Sequence, residues 1–188
     1  MMTLIFTGLR ASELRGLRWQ DVDLDARKLH VRQRADIWGT MDHPKSQAGE
    51  RSIPLSRHVV NALREWKLAC PKSELDLVFA SRNGTPLNHA NIVSQGLMPL
   101  LMRAGICVPN EKGNMEAKYK GLHCFRHFYA SWCLNRIEDG GLGLPYKTVQ
   151  SRLGHSTMAM TVDTYAHLFP EQEDHAALDA GELRLLGG

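Results

Sequence analysis

The sequence predicts an α+β fold that is mainly α-helical, with a small antiparallel sheet of about three strands in the N-terminal third. Apolar and polar residues alternate, as in strands, only in two short segments between residues 28 and 55. From Val59 onward, apolar residues recur instead at the spacing of amphipathic helices. The chain has 188 residues, of which 43% are hydrophobic, and is long enough for one well-buried core. We therefore expect a single domain.

The sheet is expected to form from the two alternating segments. Residues 28–38 and 51–55 are predicted to pair as antiparallel strands, joined by a polar excursion at residues 42–50. Because proline donates no hydrogen bond to a strand ladder, Pro54 predicts that the second strand lies at an edge or ends there. Residues 21–25 carry three aspartates and are expected to form a turn.

Helices are expected before and after this sheet. Residues 7–10 are predicted to form a turn, with Ser12 as the N-cap of the helix that follows. Asn88 is expected to cap a later apolar helix, which Pro99 disturbs because proline cannot donate the helical hydrogen bond. The glycine-rich segment 140–145 interrupts the helical pattern. The other predicted helices share a regular apolar face and cover residues 59–66, 122–137, 147–153 and 157–168.

Composition excludes several classes of protein. No run of 18 or more apolar residues occurs, so a membrane span is not expected. The N-terminus lacks the charged start of a secretory signal. The four cysteines form no Cys-x-x-Cys pair and are too sparse for a disulfide framework. We therefore expect a reduced, cytoplasmic protein without a membrane partner.

The charge of the chain is unevenly divided. Residues 166–188 hold one arginine and five acidic residues, whereas residues 1–165 hold 22 lysines and arginines and 15 acidic residues, a net charge of +7. A basic body is suited to a polyanionic partner, although a solvated surface of mixed charge produces similar numbers.

Arg10 and Lys45 are cationic residues at turns. Glu13 lies one helical turn after Arg10, so its carboxylate could hold the guanidinium in place. A surface arginine beside a helix-capping glutamate is the alternative. Lys45 lies on the excursion between the strands, where a flexible ammonium could reach an anionic ligand, although an ordinary loop lysine would look the same.

Residues 123–127 read His-Cys-Phe-Arg-His. On a helix, His123, Arg126 and His127 share one face, where they could bind a ligand or line a crevice between helices. The two histidines also have the i, i+4 spacing of a zinc helix. Cys124, however, stands where a His-Glu-x-x-His metalloprotease needs its general base, so we expect no metal site.

Tyr165 follows His155 by ten residues and lies in the last of these predicted helices. A tyrosine near the end of an amphipathic helix usually packs in a core, and His155 alone would be a turn histidine. The alternative is a nucleophilic phenol. With an ordinary pKa of about 10, a phenol needs neighbouring cations, a proton donor for the leaving group and histidines that handle protons. Arg10, Lys45 and residues 123–127 could supply these groups.

Five motifs follow one another along the chain. They are Thr7-Gly8-Leu9-Arg10-Ala11-Ser12-Glu13-Leu14, Pro44-Lys45-Ser46 before Arg51-Ser52-Ile53-Pro54-Leu55, Leu122-His123-x-x-Arg126-His127, Leu153-Gly154-His155, and Thr164-Tyr165-Ala166-His167. Their order and approximate spacing resemble those of the tyrosine recombinases, the phage integrase family. The resemblance covers residues 7–169, which is nearly the whole chain.

The resemblance implies a DNA breaking and rejoining enzyme. Tyr165 matches the nucleophile that attacks a scissile phosphate and forms a 3′-phosphotyrosyl link. Arg10 and Arg126 match the two arginines that bind the non-bridging phosphate oxygens, a task for which a guanidinium fork is well suited. Because the phosphotyrosine retains the bond energy, the family needs neither ATP nor a metal, and no cofactor is expected.

The resemblance also implies roles for four further residues. Lys45 matches the general acid that protonates the leaving 5′-oxygen. His123 matches the histidine associated with proton handling at the tyrosine, and His155 matches the histidine that hydrogen-bonds the phosphate. Glu13 matches an acidic position that supports the first arginine.

Domain organisation and partners follow from the same resemblance. Residues 1–169 are expected to form the catalytic domain, truncated at its N-terminus and without the separate N-terminal DNA-binding domain of the family. Residues 170–188 form a leucine-containing tail that could pack on its own domain or dock on a neighbouring protomer. The expected partners are double-stranded DNA and further copies of the chain in a tetrameric synapse. The expected source is bacterial or phage DNA.

Three functions remain open from the sequence. The first is a site-specific recombinase or integrase that acts in DNA integration and excision, as expected for a mobile element. The second is a Xer-like recombinase that resolves dimers. The third is a non-catalytic DNA-binding fragment, although a module that only binds DNA needs cations and not a complete nucleophilic set.

Overall fold

Short strands in the first third of the chain are followed mainly by helices in the computed structural model, which describes residues 1–165 and 175–187. The α-helices are α1 (Met2–Thr7), α2 (Ala11–Arg15), α3 (Arg57–Ala69), α4 (His89–Asn91), α5 (Met98–Arg103), α6 (His123–Leu134), α7 (Tyr146–Leu153), α8 (Ala159–Tyr165) and α9 (His175–Leu186). The strands are β1 (Val22–Asp23), β2 (Lys28–Val31), β3 (Arg34–Ala35), β4 (Met41–Asp42), β5 (Arg51–Pro54), β6 (Cys107–Pro109) and β7 (Met115–Ala117). The predicted mainly α-helical α+β class is confirmed.

The main sheet has three antiparallel strands in the order β1-β2-β5. Leu29 lies opposite Ile53 in the β2–β5 pair, and both side chains are fully buried. Pro54 is the last residue of β5, which is an edge strand, as its missing N–H predicts. The register places the side chains of β5 alternately toward the core and toward solvent.

Two predictions in this region were wrong. The first alternating segment does not continue to Trp38, because β2 ends at Val31 and the separate strand β3 pairs with β4. Trp38 lies at the turn of this second hairpin and is 85% exposed. Part of the aspartate-rich segment expected to be a turn forms strand β1, because its buried Val22 pairs with Leu29.

The start of α2 also differs from the prediction. Arg10, not Ser12, is the N-cap residue, and the Glu13 carboxylate accepts a hydrogen bond from its backbone N–H at 2.8 Å. The helix thus begins earlier because the N3 carboxylate caps it. Gly8 ends α1 in the left-handed conformation with φ of 64°, and a Cβ there would lie 2.4 Å from the Tyr129 ring. Glycine is therefore required for the close approach of this turn to α6.

The middle of the chain follows the predicted helices with one change of geometry. The Asn88 side chain caps α4, accepting hydrogen bonds from the N–H groups of Ala90 and Asn91. Residues Ile92–Leu97 then form a π-helix directly before Pro99 at the start of α5. Because Pro99 cannot donate to the carbonyl four residues earlier, the helix changes its hydrogen-bond pattern here.

Hairpin β6–β7 was not predicted, because its residues show no apolar alternation. The loop after α6 has a clear local role. Leu142 and Leu144 donate backbone hydrogen bonds to the carbonyls of Trp132 and Cys133, and therefore satisfy acceptors at the end of α6. This return of the chain places α7 beside α6.

Two groups of buried apolar side chains meet at α6. Phe125 packs in the larger group with the sheet and helices α1, α3 and α5, whereas Tyr129 packs in a smaller group with α7 and α8. Within residues 1–165 and 175–187, no helix is long and apolar enough to cross a membrane. Arg126 lies on α6 between Phe125 and Tyr129, and Tyr165 belongs to the smaller group.

Candidate active site

Arg10 is held by its neighbour in the sequence and by a distant turn. Its Nη1 donates to Glu13 Oε1 at 2.8 Å, and its Nη2 donates to the carbonyl oxygen of Gly154 at 3.3 Å. The side chain is 36% exposed, so it also faces solvent. The predicted support of Arg10 by Glu13 is thus present in the geometry.

Glu13 is buried between two arginines. Arg51 donates to Glu13 Oε1 from Nη1 at 3.0 Å and to Oε2 from Nη2 at 2.8 Å. Burial alone would raise the pKa of Glu13, but the hydrogen bonds and charge of Arg51, together with those of Arg10, lower it to about 2. The carboxylate is therefore ionised at neutral pH and binds both guanidinium groups.

Arg126 joins two turns from within the protein. This residue is 2% exposed; Nη1 donates to the carbonyl of Gly8 at 2.7 Å and Nη2 to the carbonyl of Leu153 at 2.5 Å. Burial and the nearby charge of Arg10 lower the pKa of Arg126 to about 9. The guanidinium therefore keeps its charge at neutral pH.

His155 follows the turn that ends α7. Gly154 adopts the left-handed conformation with φ of 66°, and a Cβ on it would lie 2.8 Å from the carbonyl oxygen of Ala48. His155 Nδ1 lies 2.9 Å from the hydroxyl of buried Thr161. Burial, followed by the charges of Arg126 and other cations, lowers the pKa of His155 to about 4, so its imidazole is neutral at pH 7.

Tyr165 is the last described residue of α8 and is 4% exposed. Its hydroxyl lies 3.0 Å from Nδ1 of His127, and the two rings meet edge to face. Burial raises the pKa of Tyr165, and the charge of Arg126 acts in the opposite direction. Residues 166 and 167 of the tyrosine motif lie outside the described residues.

His123 begins α6 one helical turn before His127. The two imidazole rings meet edge to face, with centroids 4.7 Å apart. Burial and the charges of His127 and Arg126 lower the pKa of His123. Within the described residues, the Tyr165 phenol is thus hydrogen-bonded to His127. The proton-handling role that the resemblance implies for His123 stays a prediction.

Lys45 lies beside the arginines on the loop between β4 and β5. It is exposed, and with Arg10, Glu13, Arg34 and Ser46 it lines a cleft of about 310 Å³. Arg10 and Lys45 thus both line this cleft. The structure therefore places the predicted lysine at the same opening as the first arginine.

Two contacts were not predicted from the sequence. His127 was noted only for its helix face, and its contact with Tyr165 depends on how α8 packs on α6. Arg51 was quoted only as part of a motif. The sequence could have shown that Arg51 faces inward. Side chains of a strand point to the same side at every second residue, which places Arg51 on the same side of β5 as buried Ile53.

These contacts bring the predicted residues into one region of the molecule. Arg10 and Arg126 bind neighbouring carbonyls of the turn that precedes His155, and Tyr165 lies close enough to Arg126 for their charges to interact. Cationic donors, imidazoles and a phenol are groups that can support nucleophilic attack on a phosphodiester. The arrangement is that of a candidate phosphoryl-transfer site.

Two tyrosine recombinases are similar to this chain in sequence. The tyrosine recombinase XerC-like protein of Caldanaerobacter subterraneus subsp. tengcongensis is 27% identical over an alignment that covers 94% of this chain and 47% of the relative. Tyrosine recombinase XerC of Xylella fastidiosa is 32% identical over 86% of this chain and 45% of its own length. The chain therefore spans about half the length of these relatives.

A solved structure of similar fold is the Tn1549 transposon integrase in complex with transposon right end DNA. It has a TM-score of 0.71 and 26% sequence identity, and the match covers 97% of this chain and 57% of that one. A model of the phage integrase family matches residues 1–172. The family resemblance seen in the five motifs is therefore confirmed, and the chain belongs to the phage integrase family.

Proposed function

We propose that this chain is the catalytic domain of a site-specific recombinase that cuts and rejoins double-stranded DNA through a 3′-phosphotyrosyl intermediate. The observation that carries the proposal is the convergence on one turn, residues 153–155, of two arginines from distant segments. Arg10 donates to Gly154 and Arg126 to Leu153, and both keep further N–H groups that could bind phosphate oxygens. Tyr165 lies close enough to Arg126 for their charges to interact.

The proposed cleavage step is an attack of the Tyr165 oxygen on the scissile phosphorus. The bond to the 5′-oxygen breaks, and Lys45 donates the proton that this leaving oxygen requires. Arg10 and Arg126 stabilise the negative charge on the non-bridging oxygens. His127, which lies 3.0 Å from the phenol, is placed to receive its proton.

Neutral His155 is proposed to donate a hydrogen bond to the phosphate. When Nδ1 accepts a hydrogen bond from the Thr161 hydroxyl, the neutral ring carries its hydrogen on Nε2. Nε2 can then donate to the phosphate. Rejoining reverses the step, because a free 5′-hydroxyl attacks the phosphotyrosine and releases the phenol. The number of phosphoester bonds is conserved, so the reaction requires no external energy source.

DNA integration and excision are the proposed biological reactions. They are supported by the similarity to a transposon integrase over 97% of this chain. Dimer resolution is the second candidate, supported by the 32% identity to a XerC recombinase. The proposed cleavage chemistry is the same for both reactions.

A nicked suicide substrate tests the proposed chemistry. Strand cleavage next to a nick releases a short fragment and traps the covalent protein–DNA adduct. The unmodified chain, or a longer chain that contains it, is expected to form the adduct, and Tyr165→Phe is expected to form none because it lacks the nucleophilic oxygen. Denaturing gel electrophoresis measures the adduct. An adduct that persists in the variant would exclude Tyr165 as the nucleophile, whereas DNA binding without any adduct would favour the non-catalytic alternative.

We also propose that residues 1–169 form the catalytic unit and that the following tail docks on a second copy when the protein assembles on DNA. Support comes from helix α9, whose leucines are unusually exposed. The exposed fractions are 66% for Leu178, 63% for Leu183, 88% for Leu185 and 83% for Leu186. Apolar side chains of this size favour burial in an assembly. Deletion of residues 170–188 is expected to prevent a tetrameric complex on DNA in analytical ultracentrifugation; unchanged assembly would contradict this proposal.

A further inference from the structure

We infer that Arg51 is a positioning residue that holds three separate segments of the proposed active site in fixed relation to one another. The segments are the Arg10 turn, the Lys45 loop and the turn that carries His155. Arg51 itself reaches none of the atoms proposed to react, and the inference rests on the proposed function. Its side chain is 4% exposed, so its contacts are made within the protein.

The first segment is reached through Glu13. Both oxygens of this carboxylate accept a hydrogen bond from Arg51, and both also accept one from Arg10. Glu13 therefore lies between the two guanidinium groups and determines their separation. A change at Arg51 would be transmitted to Arg10 through this shared carboxylate.

The second segment is the loop that carries Lys45. Arg51 Nη1 donates to the carbonyl of Gly49 at 2.9 Å, at the end of the short 3₁₀-helix Gln47–Gly49. Lys45 is exposed and lies two residues before this helix. The contact with the Gly49 carbonyl therefore restrains the loop close to the lysine. The position of the proposed proton donor thus depends on Arg51.

The third segment is the turn at the end of α7. Arg51 Nε donates to the carbonyl of Arg152 at 2.7 Å. The two residues that follow present their carbonyls to Arg126 and Arg10, and His155 comes next. Arg51 Nη1 also lies 2.9 Å from the position that a Cβ on Gly154 would occupy, so this turn packs directly on the guanidinium.

Only an arginine can make these contacts together. The guanidinium donates in three directions from one plane, whereas a lysine ammonium is a single point donor at the end of a flexible chain. A displacement of about 1 Å in a catalytic group can slow an enzyme by about 100-fold. Loss of Arg51 should therefore slow the chemical step by displacing these groups, whereas the affinity for DNA should change little because the phosphate-binding side chains are all still present.

The test measures adduct formation on the suicide substrate at saturating DNA, in single turnovers, together with the dissociation constant. Arg51→Met is expected to slow adduct formation by about 100-fold and to change the dissociation constant by less than about threefold. Arg51→Lys keeps the charge but loses the fork, so an intermediate rate is expected. A rate for Arg51→Met within about threefold of the unmodified chain would overturn the inference.

Arg15→Met is the matched control for the loss of a buried arginine. Arg15 is buried as well, with 4% of the whole residue exposed, but its guanidinium donates to the carbonyls of Ala35, Asp36 and Leu87. Both Arg15→Met and Arg51→Met are expected to lose thermal stability, but Arg15→Met is expected to show no comparable decrease in the single-turnover rate. An equal decrease in both variants would reduce Arg51 to a general stabilising role.

A double-mutant cycle with Glu13→Gln separates the path through the carboxylate. If Arg51 acts partly through Glu13, the two changes together should slow adduct formation by less than the product of their separate effects. If the double variant instead slows adduct formation by the full product of the two separate effects, Arg51 does not act through Glu13.

Hydrogen exchange provides a measurement that does not depend on activity. Amides of residues 46–50 and 150–155 are expected to exchange faster in Arg51→Met than in the unmodified chain, and to remain protected in Arg15→Met. Unchanged exchange in both segments would overturn the inference even if the unmodified chain formed no adduct. An inactive unmodified chain with the expected exchange pattern would instead count against the proposed function alone.

Discussion

The arginine side of the candidate site and its lysine side differ in how firmly their cations are held. Arg126 is 2% exposed and donates to two backbone carbonyls, and Arg10 is bound to a buried carboxylate. Lys45, by contrast, is exposed on a loop at the opening of the cleft. The same site thus combines a fixed guanidinium pair with a lysine at the surface.

This difference matches the two proposed tasks. Binding of a phosphate with developing negative charge is strongest when the donors are already oriented, because no reorganisation is then needed during the reaction. A proton donor must instead reach the leaving oxygen, whose position depends on the bound DNA. Under the proposed function, the arginines therefore hold fixed positions, whereas Lys45, as the proposed proton donor, is free to move toward the leaving oxygen.

The largest effect is expected from replacing the fixed cation Arg126 by lysine. Lysine cannot bridge the carbonyls of Gly8 and Leu153 and still present an N–H fork to phosphate. Arg126→Lys should slow adduct formation by about 1,000-fold, which corresponds to about 4 kcal/mol. Single-turnover assays measure the rate. The exposed Arg64, paired with Asp25, is a suitable control as Arg64→Lys; a rate for Arg126→Lys within tenfold of the unmodified chain would refute preorganisation by Arg126.

Acid should weaken the fixed side by protonating Glu13. Its pKa is about 2 in the folded protein, against an ordinary value of 4.5. Because the folded pKa is lowered, the carboxylate contributes fully to stability above about pH 4.5, and this contribution is lost as the pH falls toward 2. The difference between the folded pKa of about 2 and the ordinary value of 4.5 corresponds to about 3 kcal/mol of unfolding free energy.

Urea denaturation at several pH values measures this contribution. The gap in unfolding free energy between the unmodified chain and Glu13→Gln is expected to be constant above about pH 5 and to shrink below it. A gap that does not change between pH 5 and pH 3 would contradict the assigned ionisation of Glu13.

The exposed side is tested by Lys45→Ala. On ordinary DNA the variant should form the adduct about 100-fold more slowly, because the 5′-oxygen leaves without a proton. On DNA with sulfur in place of that oxygen, the defect should nearly disappear, because a thiolate is a good leaving group at neutral pH. Lys112→Ala, in another exposed turn, is the matched control. An equal defect on both substrates would exclude Lys45 as the proton donor.

Much of the fold could be predicted because helices carry their signal locally. The apolar periodicity predicted α3, α6 and α7, and the capping side chain of Asn88 was recognised from its own residue type. Strand β1 and hairpin β6–β7 were missed because strands of two or three residues are too short for an alternating pattern. Their formation depends on pairing with a partner strand, which no local window contains.

The site could be predicted only as a set of residues. The motifs identified Arg10, Glu13, Arg126, His155 and Tyr165, and the structure places them in one region. Which side chains touch depends on packing between distant elements. The contact of Tyr165 with His127 requires α8 to pack on α6, and the contacts of Arg51 join segments that are up to 101 residues apart.

The carbonyl contacts of the arginines have a consequence for the entropy of the proposed DNA binding. A long side chain that becomes ordered only when a ligand arrives loses about 0.5–1.5 kcal/mol of rotational freedom. Arg126 is already ordered by Gly8 and Leu153, and Arg10 by Glu13 and Gly154. The entropy of these side chains is therefore lost when the protein folds and not when DNA binds. For the two side chains together, about 1–3 kcal/mol of contact energy remains available to the bound phosphate.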